Sequence, residues 1–247
     1  MEIKGKTVLI TGGGTGIGRA VALKLAAEGA NLVINYSRSR AEAEETLQTA
    51  RELYGINGIA CQADVSQQEQ VVRMVEETMA TLGRIDILIN NAGTTHFVSH
   101  DDLDGLLEEY WDNAFNVNVK GMFFVTRACA TELKKNKGCI VNITSVAGLK
   151  GVGSSIAYAA SKAAGISVTK SLARVLAPEV RVNSVAPGIV KTRWVEGKDD
   201  HVQKYGEGTP LGRVAEPEDV ADLVWALIQG GDFVTGQTIV VDGGNTI

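Results

Sequence analysis

Short, nearly continuous apolar runs alternate along the chain with longer segments whose apolar residues recur at helical spacing. The runs are TVLIT (7–11), NLVINY (31–36), GIACQ (58–62), IDILIN (85–90), CIVNIT (139–144), VRVNSVA (180–186) and TIVVDG (238–243). A strand covered on both faces reads this way, whereas a strand with one face in water alternates. The segments between them predict helices over about 16–28, 40–54, 67–82, 109–135, 157–177 and 217–229. Asp64 and Ser66 are placed to cap the third helix, and Pro217 with Glu218 and Asp219 suits the first turn of the last. Strands joined by helical crossovers predict an α/β fold, a Rossmann-type doubly wound parallel sheet of about seven strands with helices on both faces. The ligand crevice of such a sheet lies beyond the carboxyl ends of its strands. No repeat or linker divides the chain, so 1–247 reads as a single domain. The polar, aperiodic segment 191–212, KTRWVEGKDDHVQKYGEGTPLG, reads as a lid over that crevice.

Charge and composition narrow the ligand. A net charge of −5 without a basic run excludes a nucleic-acid partner and an anionic membrane surface, which leaves small solutes. With 28 Gly against 4 Pro the chain reads as ordered and rich in tight turns. Cys61, Cys129 and Cys139 are odd in number, lie in apolar contexts and lack CxxC spacing, which argues against a disulfide framework or zinc site and for a reducing compartment. The start MEIKGKTVLITGG has no long apolar stretch, and no run approaches the roughly 18 apolar residues of a membrane span, so a cytoplasmic protein is expected.

The segment TGGGTGIG (11–18) joins the first predicted strand to the first predicted helix. Its spacing, Gly12-x-x-x-Gly16-x-Gly18, is a variant of the commoner dinucleotide fingerprint. Glycines let the backbone approach a pyrophosphate, and a helix N-terminus offers it free N–H groups. NAD-preferring folds place a carboxylate at the end of the second strand to hold the adenosine ribose. Here no carboxylate occurs from Asn35 to Arg40, and Ser37 and Arg38 suit a 2′-phosphate instead, so NADP(H) is favoured over NAD(H). The bland reading of SRSR is a solvated loop, with the cation supplied from elsewhere.

In YAASK (158–162) a phenol and an ammonium stand at i and i+4, one above the other on a helix face, separated by small residues that leave space beside them. A free phenol has a pKa near 10, too weak an acid to protonate a developing alkoxide well at neutral pH. A cation one turn away favours phenolate, so Lys162 is expected to lower the pKa of Tyr158.

Six motifs occur in one order: TGGGTGIG, NNAG (90–93), NVNVKG (116–121), ITSVAG (143–148), YAASK and APG (186–188), with 13 residues from Ser145 to Tyr158. In that order and spacing the chain resembles the short-chain dehydrogenases/reductases over essentially its whole length. Within them it is most similar to the 3-oxoacyl-(acyl-carrier-protein) reductase branch. The resemblance implies a catalytic tetrad of Asn118, Ser145, Tyr158 and Lys162. Asn113 and Asn116 lie beside Asn118, and Thr144 beside Ser145, and only the family pattern chooses among them. It further implies that Tyr158 exchanges a proton with the substrate oxygen and Ser145 aligns that oxygen. Asn118 would hold a water relaying protons toward Lys162, and Lys162 would also touch the nicotinamide ribose. Around the cofactor it implies contacts from Gly12, Thr15, Gly16, Ile17 and Gly18, with Asp64 and Val65 bracketing the adenine. Asn91, Ala92 and Gly93 would form the floor, and Pro187, Gly188, Val190 and Thr192 would cover the nicotinamide. A homotetramer is implied, with 109–135 and 157–177 at one interface and the C-terminal region at another.

His96, Phe97, Trp194 and Tyr205 fall in segments expected to border the substrate pocket. His96, His100 and His201 lack ligand spacing, so no metal is expected. Lys134, Lys135, Lys137 and Arg174 offer local positive charge that an acyl carrier protein could use in docking. The expected activity is an NADP(H)-dependent oxidoreductase that reduces 3-oxoacyl thioesters. The alternatives are an enzyme of a free ketone, sugar or polyol, and a non-catalytic NADP(H) sensor, against which an intact tetrad weighs.

Overall fold

A computed structural model describes residues 1–197 and 199–247, apart from the side chains of Asp199 and His201. Lys198, inside the segment read as a lid, and the His201 side chain of the histidine triple therefore lie outside the described residues. The apolar runs form β1 Thr7–Ile10, β2 Asn31–Tyr36, β3 Gly58–Gln62, β4 Ile87–Asn90, β5 Cys139–Ile143, β6 Arg181–Pro187 and β7 Thr238–Val241. They make one sheet of order β3-β2-β1-β4-β5-β6-β7, every pair parallel. The order reverses between β1 and β4, which opens the crevice at their carboxyl ends.

Helices α1 Gly16–Ala27, α2 Arg40–Tyr54 and α9 Pro217–Gln229 cover one face, and α3 Gln68–Leu82, α5 Met122–Lys135 and α7 Ile156–Leu176 the other. In β1 and β4, Val8, Ile10, Ile87 and Ile89 enter the first layer while Leu9 and Leu88 enter the second, all fully buried. Two covered faces are why these strands read as unbroken apolar runs. The edge strands β3 and β7 are only partly buried, so coverage of every strand holds only away from the margins.

Three local expectations are corrected. The helix expected over 109–135 is divided into α4 Glu108–Phe115, a π-helical turn Asn116–Gly121, and α5. The spacing within each flanking helix is ordinary, so the segment as a whole still reads as helical. Asp64 and Ser66 do not cap α3, whose first residue follows Gln67; the Asp64 carboxylate instead accepts from the Ser66 N–H at 2.9 Å and hydroxyl at 2.7 Å. The lid segment contains a 3₁₀ turn, Arg193–Val195, and a helix, α8 Asp199–Glu207. A further short helix, α6 Ala147–Lys150, follows β5. No helix among the described residues is long and apolar enough to cross a membrane.

Candidate active site

The loops after β1, β2, β4, β5 and β6 enclose a cleft of about 1560 Å³. That exceeds the range of roughly 300–1,000 Å³ usual for one small ligand, so it can take a dinucleotide and a substrate together. The loop after β4 is sewn to the glycine loop: Asn91 donates from Nδ2 to the carbonyls of Thr11 and Gly12, both at 3.0 Å, and the Ala92 N–H reaches the Thr11 hydroxyl at 2.9 Å. Asn35, buried at the end of β2, accepts from the Gly12 N–H at 3.3 Å.

Three observations fit this end of the cleft to a dinucleotide. Helix α1 opens with Thr15 extended, no side-chain cap and no acidic residue in its first turn, which leaves its N–H groups and dipole for an anion. Gly18 is packed so closely that a Cβ there would lie 2.3 Å from the Gly12 carbonyl, so the loop and helix approach as only glycine permits. A methyl on Gly93 would instead meet Asn118 Oδ1 at 3.4 Å, Lys162 Nζ at 3.6 Å and Trp194 at 3.8 Å, filling the floor of the cleft and no core.

The hydroxyl and phenol come together from β5 and α7. Ser155 caps α7, its hydroxyl accepting from the Tyr158 N–H at 3.2 Å, which fixes Tyr158 in the first turn. Ser145 stands after β5 with its hydroxyl accepting from the Ala147 N–H at 3.1 Å. Thr144 is buried and donates to the Val185 carbonyl at 3.0 Å, so of the two neighbours only Ser145 presents its hydroxyl to the phenol. Burial pushes the Tyr158 phenol up to about 12, and a hydrogen bond from Ser145 opposes the rise. Burial likewise pushes the Lys162 ammonium down to about 8. Lys162 does not lower the phenol as its spacing suggested. Its Nζ stands over the Tyr158 ring, 5.7 Å from the centroid, and spends a hydrogen bond on the Ile143 carbonyl at 2.9 Å, so loss of solvation dominates both groups.

Asn118 projects from the π turn beneath the cleft and does not line it. Its Oδ1 accepts from the Thr94 N–H at 2.8 Å, and its Nδ2 donates to the Thr94 carbonyl at 3.0 Å and the Ser161 hydroxyl at 2.9 Å. Ser161 passes the contact to the Tyr158 carbonyl at 2.7 Å. Both amide hydrogens are thus committed to the protein, and the side chain anchors the loop after β4 to α7 where a water-holding role was expected. Asn113 and Asn116 line the cleft, and Asn116 accepts from Lys120 at 2.9 Å.

Of the expected cofactor contacts, all but the packed Gly18 line the cleft. Ser37 and Arg38 stand at the β2 end and Asp64 with Val65 beside them. Pro187 and Gly188 line the cleft at the end of β6, and Thr192 stands over Gly16. At the substrate end Phe97, Trp194 and Tyr205 line the cleft, Trp194 edge-on to Tyr158 with ring centroids 6.1 Å apart. His96 does not: it stacks on Tyr110 at 4.1 Å. His100 lines the cleft in its place, as do Val152, Gly153 and Ser154 of the loop before α7 and Asn245 and Thr246 near the C-terminus. The sequence carried no periodic signal for these, because loops from distant parts of the chain meet there. Among the described residues no group of three His, Cys, Asp or Glu could hold a metal. Lys134, Lys135 and Lys137 lie just before β5 begins, and Arg174 near the end of α7 before β6, so this charge sits at the end of the sheet opposite the cleft.

A family model described as enoyl-(acyl carrier protein) reductase matches residues 12–246. The 3-oxoacyl-(acyl-carrier-protein) reductase FabG of Thermotoga maritima is 38% identical over 256 aligned positions, covering 100% of both chains. A short-chain dehydrogenase from Burkholderia cenocepacia, solved in complex with NADP, superposes with a TM-score of 0.92 at 34% identity over 100% of both chains. A 7α-hydroxysteroid dehydrogenase complexed with NADH and 7-oxo glycochenodeoxycholic acid superposes at 0.90 with 29% identity, over 98% of this chain and 95% of that one. The family model and these relatives match the chain nearly from end to end, in sequence and in fold: the chain belongs to the short-chain dehydrogenase/reductase family of oxidoreductases, which act on CH–OH and C=O groups.

Proposed function

We propose that the protein is an NADP(H)-dependent reductase of 3-oxoacyl thioesters, with Tyr158, Ser145 and Lys162 as its catalytic residues and Asn118 positioning them. The observation that carries the reading is the half-buried Tyr158 phenol beside the Ser145 hydroxyl, with Lys162 against its ring, in a cleft large enough for two ligands. A bound nicotinamide supplies or accepts the hydride there. Tyr158, protonated at neutral pH, gives its proton to the substrate oxygen as charge develops on it, and takes one back in the reverse direction. Ser145 donates to the same oxygen and aligns it. Lys162 places a cation where that charge forms, and Trp194 shields the Tyr158 ring from water.

NADP(H) is supported by the lack of a carboxylate from Asn35 to Arg40, by Ser37 and Arg38 on the cleft wall, and by the NADP-bound Burkholderia relative. The thioester is supported by the FabG relatives. A second reading, reduction of a free ketone, draws on the aromatic substrate wall of Phe97 and Trp194 and on the hydroxysteroid dehydrogenase. The test is the decay of NADPH absorbance, with NADH in parallel, on addition of an acetoacetyl thioester. Rapid NADPH-selective decay supports the first reading, and decay only with free ketones replaces it by the second.

The protein acts in the cytoplasm as a homotetramer. Exposed apolar side chains support this assembly on α4 and α5 (Trp111, Phe123), on α7 (Val175) and in the C-terminal region (Phe233, Ile247). Light scattering of the purified protein gives its mass directly.

A further inference from the structure

Three consecutive lid residues reach three separate parts of the cleft. Thr192 stands over the start of α1, where a methyl on Gly16 would lie 3.1 Å from its Cγ2. Trp194 lies edge-on to the Tyr158 ring. Between them, Arg193 crosses to the far wall and donates from Nη1 to the Ser39 hydroxyl at 3.3 Å, bridging 154 positions of sequence. Ser39 precedes α2 and lines the cleft together with Ser37, Arg38 and Arg193 itself.

The charges here are unbalanced. Arg40 is paired with Glu44 at 2.8 Å, and Arg19 approaches Glu45 at 3.9 Å. Among the described residues no carboxylate lies within salt-bridge distance of Arg38 or Arg193. The Arg193 guanidinium therefore rests on one neutral hydroxyl, in a cleft wall carrying a second arginine and two serines. Two planar guanidinium forks with serine hydroxyls between them match the three oxygens and double charge of an ester phosphate, and nothing in such a set suits an uncharged ribose better.

We propose that Arg193 is a specificity-determining residue for the cofactor: together with Arg38 it holds the adenosine 2′-phosphate, and in doing so it fixes the lid with Trp194 over Tyr158. The proposal rests on the NADP(H) reading above. Its consequence is a coupling along the cleft. The phosphate that distinguishes the two dinucleotides sits at the adenosine end, yet through the Arg193–Trp194 pair it closes the roof at the reacting end. With NADH the lid is left to the Ser39 hydroxyl alone.

The experiment is calorimetric titration of the wild type, Arg193→Leu and Arg193→Lys with NADPH and with NADH, no substrate being required. Arg193 is exposed, so its replacement leaves the fold intact. Arg193→Leu is expected to weaken NADPH about tenfold and to leave NADH within about twofold, since a tenfold change corresponds to one charge-assisted contact. Arg193→Lys recovers part of the loss, because it keeps the charge and loses the fork. Equal losses for both dinucleotides would assign Arg193 to the shared diphosphate and overturn the proposal, as would no loss for either. A wild type without preference for NADPH would remove the underlying NADP(H) reading and this proposal with it. The wild-type titrations judge that reading, and the variants judge Arg193.

Discussion

The Lys162 ammonium lies 5.7 Å from the centroid of the Tyr158 ring and donates at 2.9 Å to the Ile143 carbonyl, Lys162 being buried and Tyr158 half-buried in α7. Their ionisations therefore carry opposite signs in the stability of the fold. An unfolded lysine titrates at 10.5, and burial brings Lys162 to about 8. Between those values the unfolded chain holds more protons, so stability rises with pH across the window, by up to about 3 kcal/mol, and is lost as pH falls through about 8. Tyr158 acts the other way: its phenol moves from 10 to about 12, so from pH 10 upward the unfolded chain loses its proton first and stability falls. Urea unfolding of the wild type is expected to show this rise and then fall, and Lys162→Met to lack the rise. Parallel curves for the two proteins would contradict the assignment.

Asn118 separates two roles that activity alone would confuse. As an anchor, its loss leaves the Thr94 N–H and carbonyl without partners and deprives the Ser161 hydroxyl of its donor. Asn118→Ala is then expected to lower stability by about 2 kcal/mol as well as activity. Activity lost with an unchanged urea midpoint would return Asn118 to the water-holding role that the family pattern implies.

Two glycines predict opposite phenotypes. Gly18→Ala drives a methyl to 2.3 Å from the Gly12 carbonyl and 2.9 Å from Gly13, so the glycine loop must shift and the melting temperature is expected to drop by several degrees. Gly93→Ala meets only ordinary contacts of 3.4 Å and more, so the melting temperature holds. Its methyl occupies the cleft floor between Asn118 and Lys162, and dinucleotide affinity is expected to fall about tenfold, read by nicotinamide fluorescence. Loss of affinity only with loss of stability would show that Gly93 is a packing position.

The strands and the long helices were legible because each apolar run is covered on both faces and bounded by turn residues; β2, β3, α2 and α9 have the boundaries read from sequence. Four of the six motifs were legible as well, since TGGGTGIG, NNAG, ITSVAG and APG sit where strands end, while NVNVKG lies in the π turn and YAASK in α7. What was hidden depends on solvation or on loops meeting across the sheet. The spacing of Tyr158 and Lys162 suggested that charge attraction would lower the phenol, but spacing carries no information on burial, and burial dominates. His96 and His100 could not be ranked until the loop after β4 folded one against Tyr110 and the other into the cleft. The reach of Arg193 to Ser39 joins the loop after β6 to the loop after β2 and leaves no local trace. Nor does sequence state that the basic residues at the end of α5 occupy the end of the sheet opposite the cleft.

The central claim is that the Tyr158 phenol is the proton donor in this cleft, and a single-turnover comparison of wild type and Tyr158→Phe tests it most directly. Both proteins are first titrated with NADPH to equal occupancy, then mixed with an acetoacetyl thioester or, if that proves inert, with a ketone the wild type reduces. Removing one hydroxyl is expected to leave NADPH affinity within about twofold and to slow its oxidation on the order of 10²–10⁴-fold. A Tyr158→Phe protein that binds NADPH and oxidises it at the wild-type rate would contradict the account.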